Sequence, residues 1–184
     1  MIGRQPESSG QVLGIAALCV GAAVLYGILH DQITVRICPE YFTIGHPPII
    51  KTKSLTLLAA GWGVIATWWM GMILAFPMIV AARAGRLPKR DVRSLLRPVG
   101  QLLVVMAVGA FCAGIAGYFL GRDGTFVLNE PTASLVPVDL HARFLADLWA
   151  HTASYAIGFF GGLFVIARVL WSRRQCAVAS RPTE

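Results

Sequence analysis

Charge is scarce in this chain. Of its 184 residues, 14% are charged and 56% are hydrophobic, whereas a domain folded in water carries about 25% charged residues. There is too little polar material to cover a solvated surface, which excludes an ordinary soluble domain. Acids are fewest, with nine Asp and Glu against 16 Lys and Arg. Metal and catalytic signatures are missing too: no HExxH, no CxxC pair, no dense run of ligand-type residues and no internal repeat. Ser8, Ser9 and Ser54 carry no triad pattern, and the Trp68–Trp69 pair reads as packing. The four cysteines yield no internal disulfide. Cys19 and Cys112 fall inside apolar runs and Cys176 near the C-terminus, leaving Cys38 to pair between chains or stay a free thiol.

What is present is apolar length. About 20 mostly apolar residues cross a hydrocarbon core of about 30 Å, and four segments qualify, at about 11–30, 54–83, 97–120 and 140–171. The expected fold is a single all-α domain over 1–184, an integral membrane antiparallel four-helix bundle with two longer outer loops. The first run lacks the basic start and small-residue cleavage site of a signal peptide, so it is expected to remain as a span.

Basic residues close to helix ends stay on the cytoplasmic side. Arg83, Arg86, Lys89, Arg90, Arg93 and Arg97 join the second and third spans, with Arg4 before the first and Arg168, Arg173, Arg174 and Arg181 at the end. The other side holds only Arg36, Lys51, Lys53, Arg122 and Arg143. Both termini are therefore expected inside and the loops 31–53 and 121–138 outside. The net charge of +7 is explained by this bias and by anionic lipid, with no nucleic-acid partner needed.

Local signals refine the picture. Gly85 is expected to end the second span, Pro88 to stop it, Asp91 or Ser94 to cap the third and Asp139 to cap the fourth. Pro77 is expected to kink the second span. "QITVRI" alternates like a short strand. Small residues recur every four positions on each span: Gly10, Gly14, Ala17 and Gly21; Gly63, Thr67, Gly71 and Ala75; Gly109, Ala113, Gly117 and Gly121; Ala150, Ser154, Gly158 and Gly162. Such stripes mark helix contact faces in lipid.

All four histidines fall toward the outer side. Counting about 1.5 Å per residue places His30 and His151 at the outer edge of the core, with His46 and His141 in or above that layer. Asp147, His151, Ser154 and Gly158 share one helix face, as do Cys19, Ala23, Tyr26 and His30. Asp147 and His151, four residues apart, suit two ligands of one ion or a carboxylate orienting an imidazole. The candidate metal ligands are His30, Glu40, His46, Asp147 and His151, with Cys38 nearby, and a transition metal or haem iron is the candidate occupant. The same residues also suit a hydrogen-bonded lid in which 30–48 folds back toward His151, anchored by Tyr41 and Phe42.

The strings "PEYFTIGHPP", "GWGVIATWW" and "LWAHTASY" resemble those of a group of small multi-pass bacterial membrane proteins. The resemblance covers most of the chain and implies the inner membrane and four spans, with no activity attached. Two function classes follow. One is a structural or accessory protein acting through self-association or another membrane subunit. The other is a metal- or haem-binding protein with its site at the periplasmic face. A transporter reading lacks a broken-helix pair, and turnover is left open.

Overall fold

The computed structural model describes residues 9–179; Arg4, Ser8 and Arg181 lie outside them. Of the described residues 81% are helical, and among them four segments are long and apolar enough to cross a membrane: Ser9–Ile37, Leu55–Arg83, Val92–Arg122 and Val138–Ala179. With no water in the hydrocarbon core, a chain crossing it must bond its amides and carbonyls internally, and a helix does so.

In chain order, α1 is Ser9–Ile37, α2 is Pro39–Thr43, α3 is Leu55–Ile65, α4 is Trp68–Arg83, α5 is Val92–Arg122, α6 is Thr132–Leu135 and α7 is His141–Ala179. A 3-10 turn, Val138–Leu140, leads into α7. α1 packs along α3 and α4, α5 along α7, and α4 reaches α7.

Four local expectations are corrected. First, "QITVRI" is helix, since α1 runs on to Ile37 and no strand occurs among the described residues. Asp31, Thr34, Val35 and Cys38 are buried while Ile33, Arg36 and Ile37 are exposed. That is the i, i+3, i+4, i+7 face of a helix, which the coincidental alternation masked. Second, the continuous span expected over 54–83 is interrupted at Ala66–Thr67, with Pro77 lying inside the second piece, α4. The Thr67 hydroxyl bonds back to Gly63 O, a pattern that bends helices. Third, Asp139 sits inside the 3-10 turn rather than capping α7. Fourth, of the expected α1 stripe Gly14 does pack closely, against Val92, but Gly21 has nothing within 4 Å, and Gly27, outside the stripe, meets Gly63 and Thr67.

The turn joining α4 to α5 forms as its residues require. Gly85 takes a positive φ of 76°, the left-handed conformation that follows many helices. Asp91 Oδ1 accepts from the Ser94 amide at 3.0 Å, which holds this carboxyl below its ordinary range. Its capping contribution is therefore present above that range and fades as pH falls through it. Arg173, only 1% exposed, donates to Pro88 O at 2.7 Å, Ala84 O at 2.9 Å and Leu87 O at 3.0 Å, and also to Ala81 O. These carbonyls, from the last turn of α4 and the turn that follows it, are ones a helix end leaves without partners, so one guanidinium ties α7 to the turn.

Close approach of α1 and α3 depends on glycine. A Cβ on Gly63 would lie 2.5 Å from Ile28 N and 2.6 Å from its Cα, both backbone atoms that cannot swing aside. Gly63→Ala should destabilise the fold by about 1–3 kcal/mol, the usual range for overpacking, whereas Gly21→Ala should be neutral. Thermal unfolding of both variants in detergent checks this; equal melting points would contradict the packing.

Candidate metal centre

At the end of the molecule that carries α2, the extension of α1 brings Asp31 beside His151 of α7. His151 Nε2 lies 3.2 Å from Asp31 Oδ1, and both side chains are buried. The other ring nitrogen is committed. His151 Nδ1–H donates to its own helix at Asp147 O, 2.7 Å away. A carbonyl can only accept, so Nδ1 holds a hydrogen and Nε2 turns to Asp31. The pair then either shares one proton or presents a nitrogen lone pair and a carboxylate to a cation. An imidazole oriented in this way through its second nitrogen is the usual outer-shell arrangement around metals.

His30 completes the group. Its ring meets His151 edge-on with centroids 4.5 Å apart and stacks on Tyr26 at 5.6 Å. His30 Nε2 is buried and has no hydrogen-bond partner among the described residues. One ligand-type atom from each of His30, Asp31 and His151 lies within 4.8 Å of the others. Two bonds of about 2.0–2.2 Å to one ion span at most about 4.4 Å, so side-chain movement well under 1 Å closes the set.

The three residues adjoin a chamber of about 80 Å³. Since about 10–15 Å³ of such volume holds one water, it has room for an ion with a few small ligands. Cofactor pockets occupy about 300–1,000 Å³, so the chamber has no room for a haem. Tyr41 and Phe42 of α2 roof it, 9% and 2% exposed, with ring centroids 4.5 and 5.7 Å from that of His151. Below, Tyr26 and Ser154 hydroxyls bond at 2.8 Å. The break in the second span also borders the chamber, where Tyr155 OH donates to Ala66 O at 3.1 Å. Tyr155 thereby satisfies a carbonyl at the break.

The remaining candidates sit around this group. His46 borders the chamber, but its Nδ1–H is given to Tyr41 O at 2.9 Å and its ring packs on Trp62 at 4.6 Å. Glu40 accepts from the Cys38 thiol at 3.5 Å and is outside the three-residue group. Asp147 is fully buried, and among the described residues neither carboxyl oxygen has a hydrogen-bond partner. The Cys38 amide beside it donates to Thr34 O at 3.0 Å. Asp147 orients His151 through its backbone carbonyl, not through the carboxylate that sequence spacing suggested. Asp31, assigned to a loop by sequence reasoning, was missed; the helical spacing of Asp31, Thr34, Val35 and Cys38 was the signal.

A larger cavity of about 530 Å³ lies between α1, α5 and α7, bordered by His30, Tyr26, Tyr118 and Asp147. Exposed Leu25 and Phe111 also line it, so it opens toward lipid. His30 and Tyr26 separate it from the chamber.

No family model matches the chain, and no match is found among curated proteins or solved structures.

Cys38 is fully buried, which rules out pairing between folded chains, and burial pushes its thiol up to about 12. Maleimide at pH 8 should therefore leave Cys38 unmodified until the protein is denatured, as mass spectrometry of digested protein would show. Because the unfolded thiol ionises near its ordinary value, this group also lowers stability as pH rises above about 9.

Proposed function

We propose that this protein is a multi-pass protein of the bacterial inner membrane that holds a divalent transition-metal ion at its periplasmic end through His30, Asp31 and His151. In this reading the four spans form an antiparallel bundle with both termini in the cytoplasm. The observation that carries the proposal is His30 Nε2, buried and unpartnered beside a carboxylate and an imidazole whose free nitrogen is turned to that carboxylate. A buried polar atom without a partner costs free energy, and a shared cation satisfies all three groups at once.

Two imidazoles and one carboxylate suit iron, zinc and their neighbours. The periplasmic placement rests on the arginine distribution, and the inner membrane also on the resemblance of the α2 loop and its companion strings.

The accessory reading is second. Its support is the large exposed apolar surface, including Leu13, Phe76 and Phe111 at 72%, 73% and 70%. Lipid covers such a surface equally well, and the glycine contacts of α3, α5 and α7 are used within the chain. Crosslinking in native membranes separates the readings, since a chain found only as a monomer removes the accessory role.

Elemental analysis of purified protein should find near-stoichiometric transition metal in the wild type. Asp31→Asn, His30→Ala and His151→Ala should each lower occupancy at least tenfold, the size of loss expected on removing a ligand. Glu40→Gln should bind normally. A wild type that binds no metal when supplied with zinc or iron, with the variants merely melting earlier, would leave the cluster as structure alone.

Orientation is tested by single cysteines in a cysteine-free background. Lys51→Cys should react with an impermeant maleimide on intact spheroplasts, and Arg86→Cys only after permeabilisation. The reverse pattern would overturn the placement of the site.

A further inference from the structure

At the opposite end from the histidines, a groove of about 380 Å³ beside α5 and α7 is lined by Arg90, Arg97, Arg168, Ser94, Gln101 and Ser172. We infer that this groove binds the phosphodiester headgroup of an anionic phospholipid from the cytoplasmic leaflet. This assignment is independent of the metal reading.

Three observations support it. The lining gathers three guanidinium groups and no carboxylate. The nearby acid in sequence, Asp91, already accepts from the Ser94 amide. Arg97 and Arg168 are exposed, and among the described residues neither makes an ion pair or side-chain hydrogen bond. Arg90 is positioned differently, its Nη2 donating to Ser172 Oγ at 3.1 Å and Cys176 Sγ at 3.8 Å. One arginine is thus anchored on α7 while two have donors to spare. Finally, Leu95, Pro98, Val165 and Val169 form the rest of the wall. A basic mouth with an apolar flank matches a lipid headgroup continuing into its chains, and basic pockets between spans on this side are known lipid sites. Arginine's planar fork can bond two phosphate oxygens at once. A zwitterionic lipid gains less, because no carboxylate in the lining receives its ammonium.

The bland alternative is that these arginines only set orientation. The test uses full-length protein, delipidated in neutral detergent, with melting temperature read during titration. The probes are phosphatidylglycerol, phosphatidylcholine and inorganic phosphate. Phosphatidylglycerol should raise the melting temperature in a saturable way, while phosphatidylcholine and phosphate should not. The R97Q/R168Q variant should need about ten- to thirtyfold more phosphatidylglycerol for half the effect. R122Q/R143Q, which removes equal charge at the other end, should respond like the wild type. R97K/R168K keeps the charge that orients the chain and should weaken the response severalfold. Equal stabilisation by phosphatidylcholine, or equal loss in R122Q/R143Q, would overturn the site. An equal shift with inorganic phosphate would overturn the lipid assignment. An unchanged response in R97K/R168K would overturn the arginine-specific contact.

Discussion

The structure turns on one polar cluster enclosed at the end of a chain made to live in lipid. Asp31, His30 and His151 are withdrawn from water, and in that setting a donor or acceptor is required to find a partner in the protein or cost free energy. The requirement explains features that would otherwise look unrelated. α1 continues two turns past His30 so that Asp31 can face α7. α2 folds two aromatic rings over His151. One histidine nitrogen is tied to a backbone carbonyl, which decides the direction of the other.

The close packing of the spans makes that enclosure possible. Gly27 and Gly63 let α1 and α3 meet at backbone distance, and Gly71 does the same against Val20, where a Cβ would lie 2.7 Å from its Cα. With α1 held there, His30 is presented to α7 rather than to lipid. The interruption at Ala66–Thr67 belongs to the same region: its exposed carbonyl is met by Tyr155, so helical bonding is given up only where a neighbouring side chain can replace it. Broken helices at membrane depth are tolerated on those terms.

The two ends of the molecule handle charge in opposite ways. At the α2 end, imidazoles and carboxylates are buried together, with His151 Nε2 turned to Asp31. At the other, arginines serve as donors to carbonyls, as Arg173 does for the end of α4, or stand open as Arg97 and Arg168 do. Guanidinium stays charged under all ordinary conditions, so it suits fixed roles at an interface. Imidazole offers a neutral ring nitrogen that can accept as well as donate, so it suits a buried polar cluster.

Four apolar runs of spanning length determined that the chain is helical and membrane-sized, because lipid leaves a backbone few other solutions. The same one-dimensional signals placed Gly85 after the second span, Asp91 at the start of α5, and Asp147, His151, Ser154 and Gly158 on one buried face. Only the tertiary structure decided that "QITVRI" is helix, since six residues of alternation cannot outweigh packing of Asp31, Thr34 and Val35 against neighbouring spans. It also decided that Asp31 rather than Glu40 or His46 joins the two histidines, and that Asp147 acts on His151 through its carbonyl. Those outcomes depend on distances between α1 and α7, separated by 120 residues at the Asp31–His151 contact, and periodicity within a single helix carries no information about which helix lies across from it.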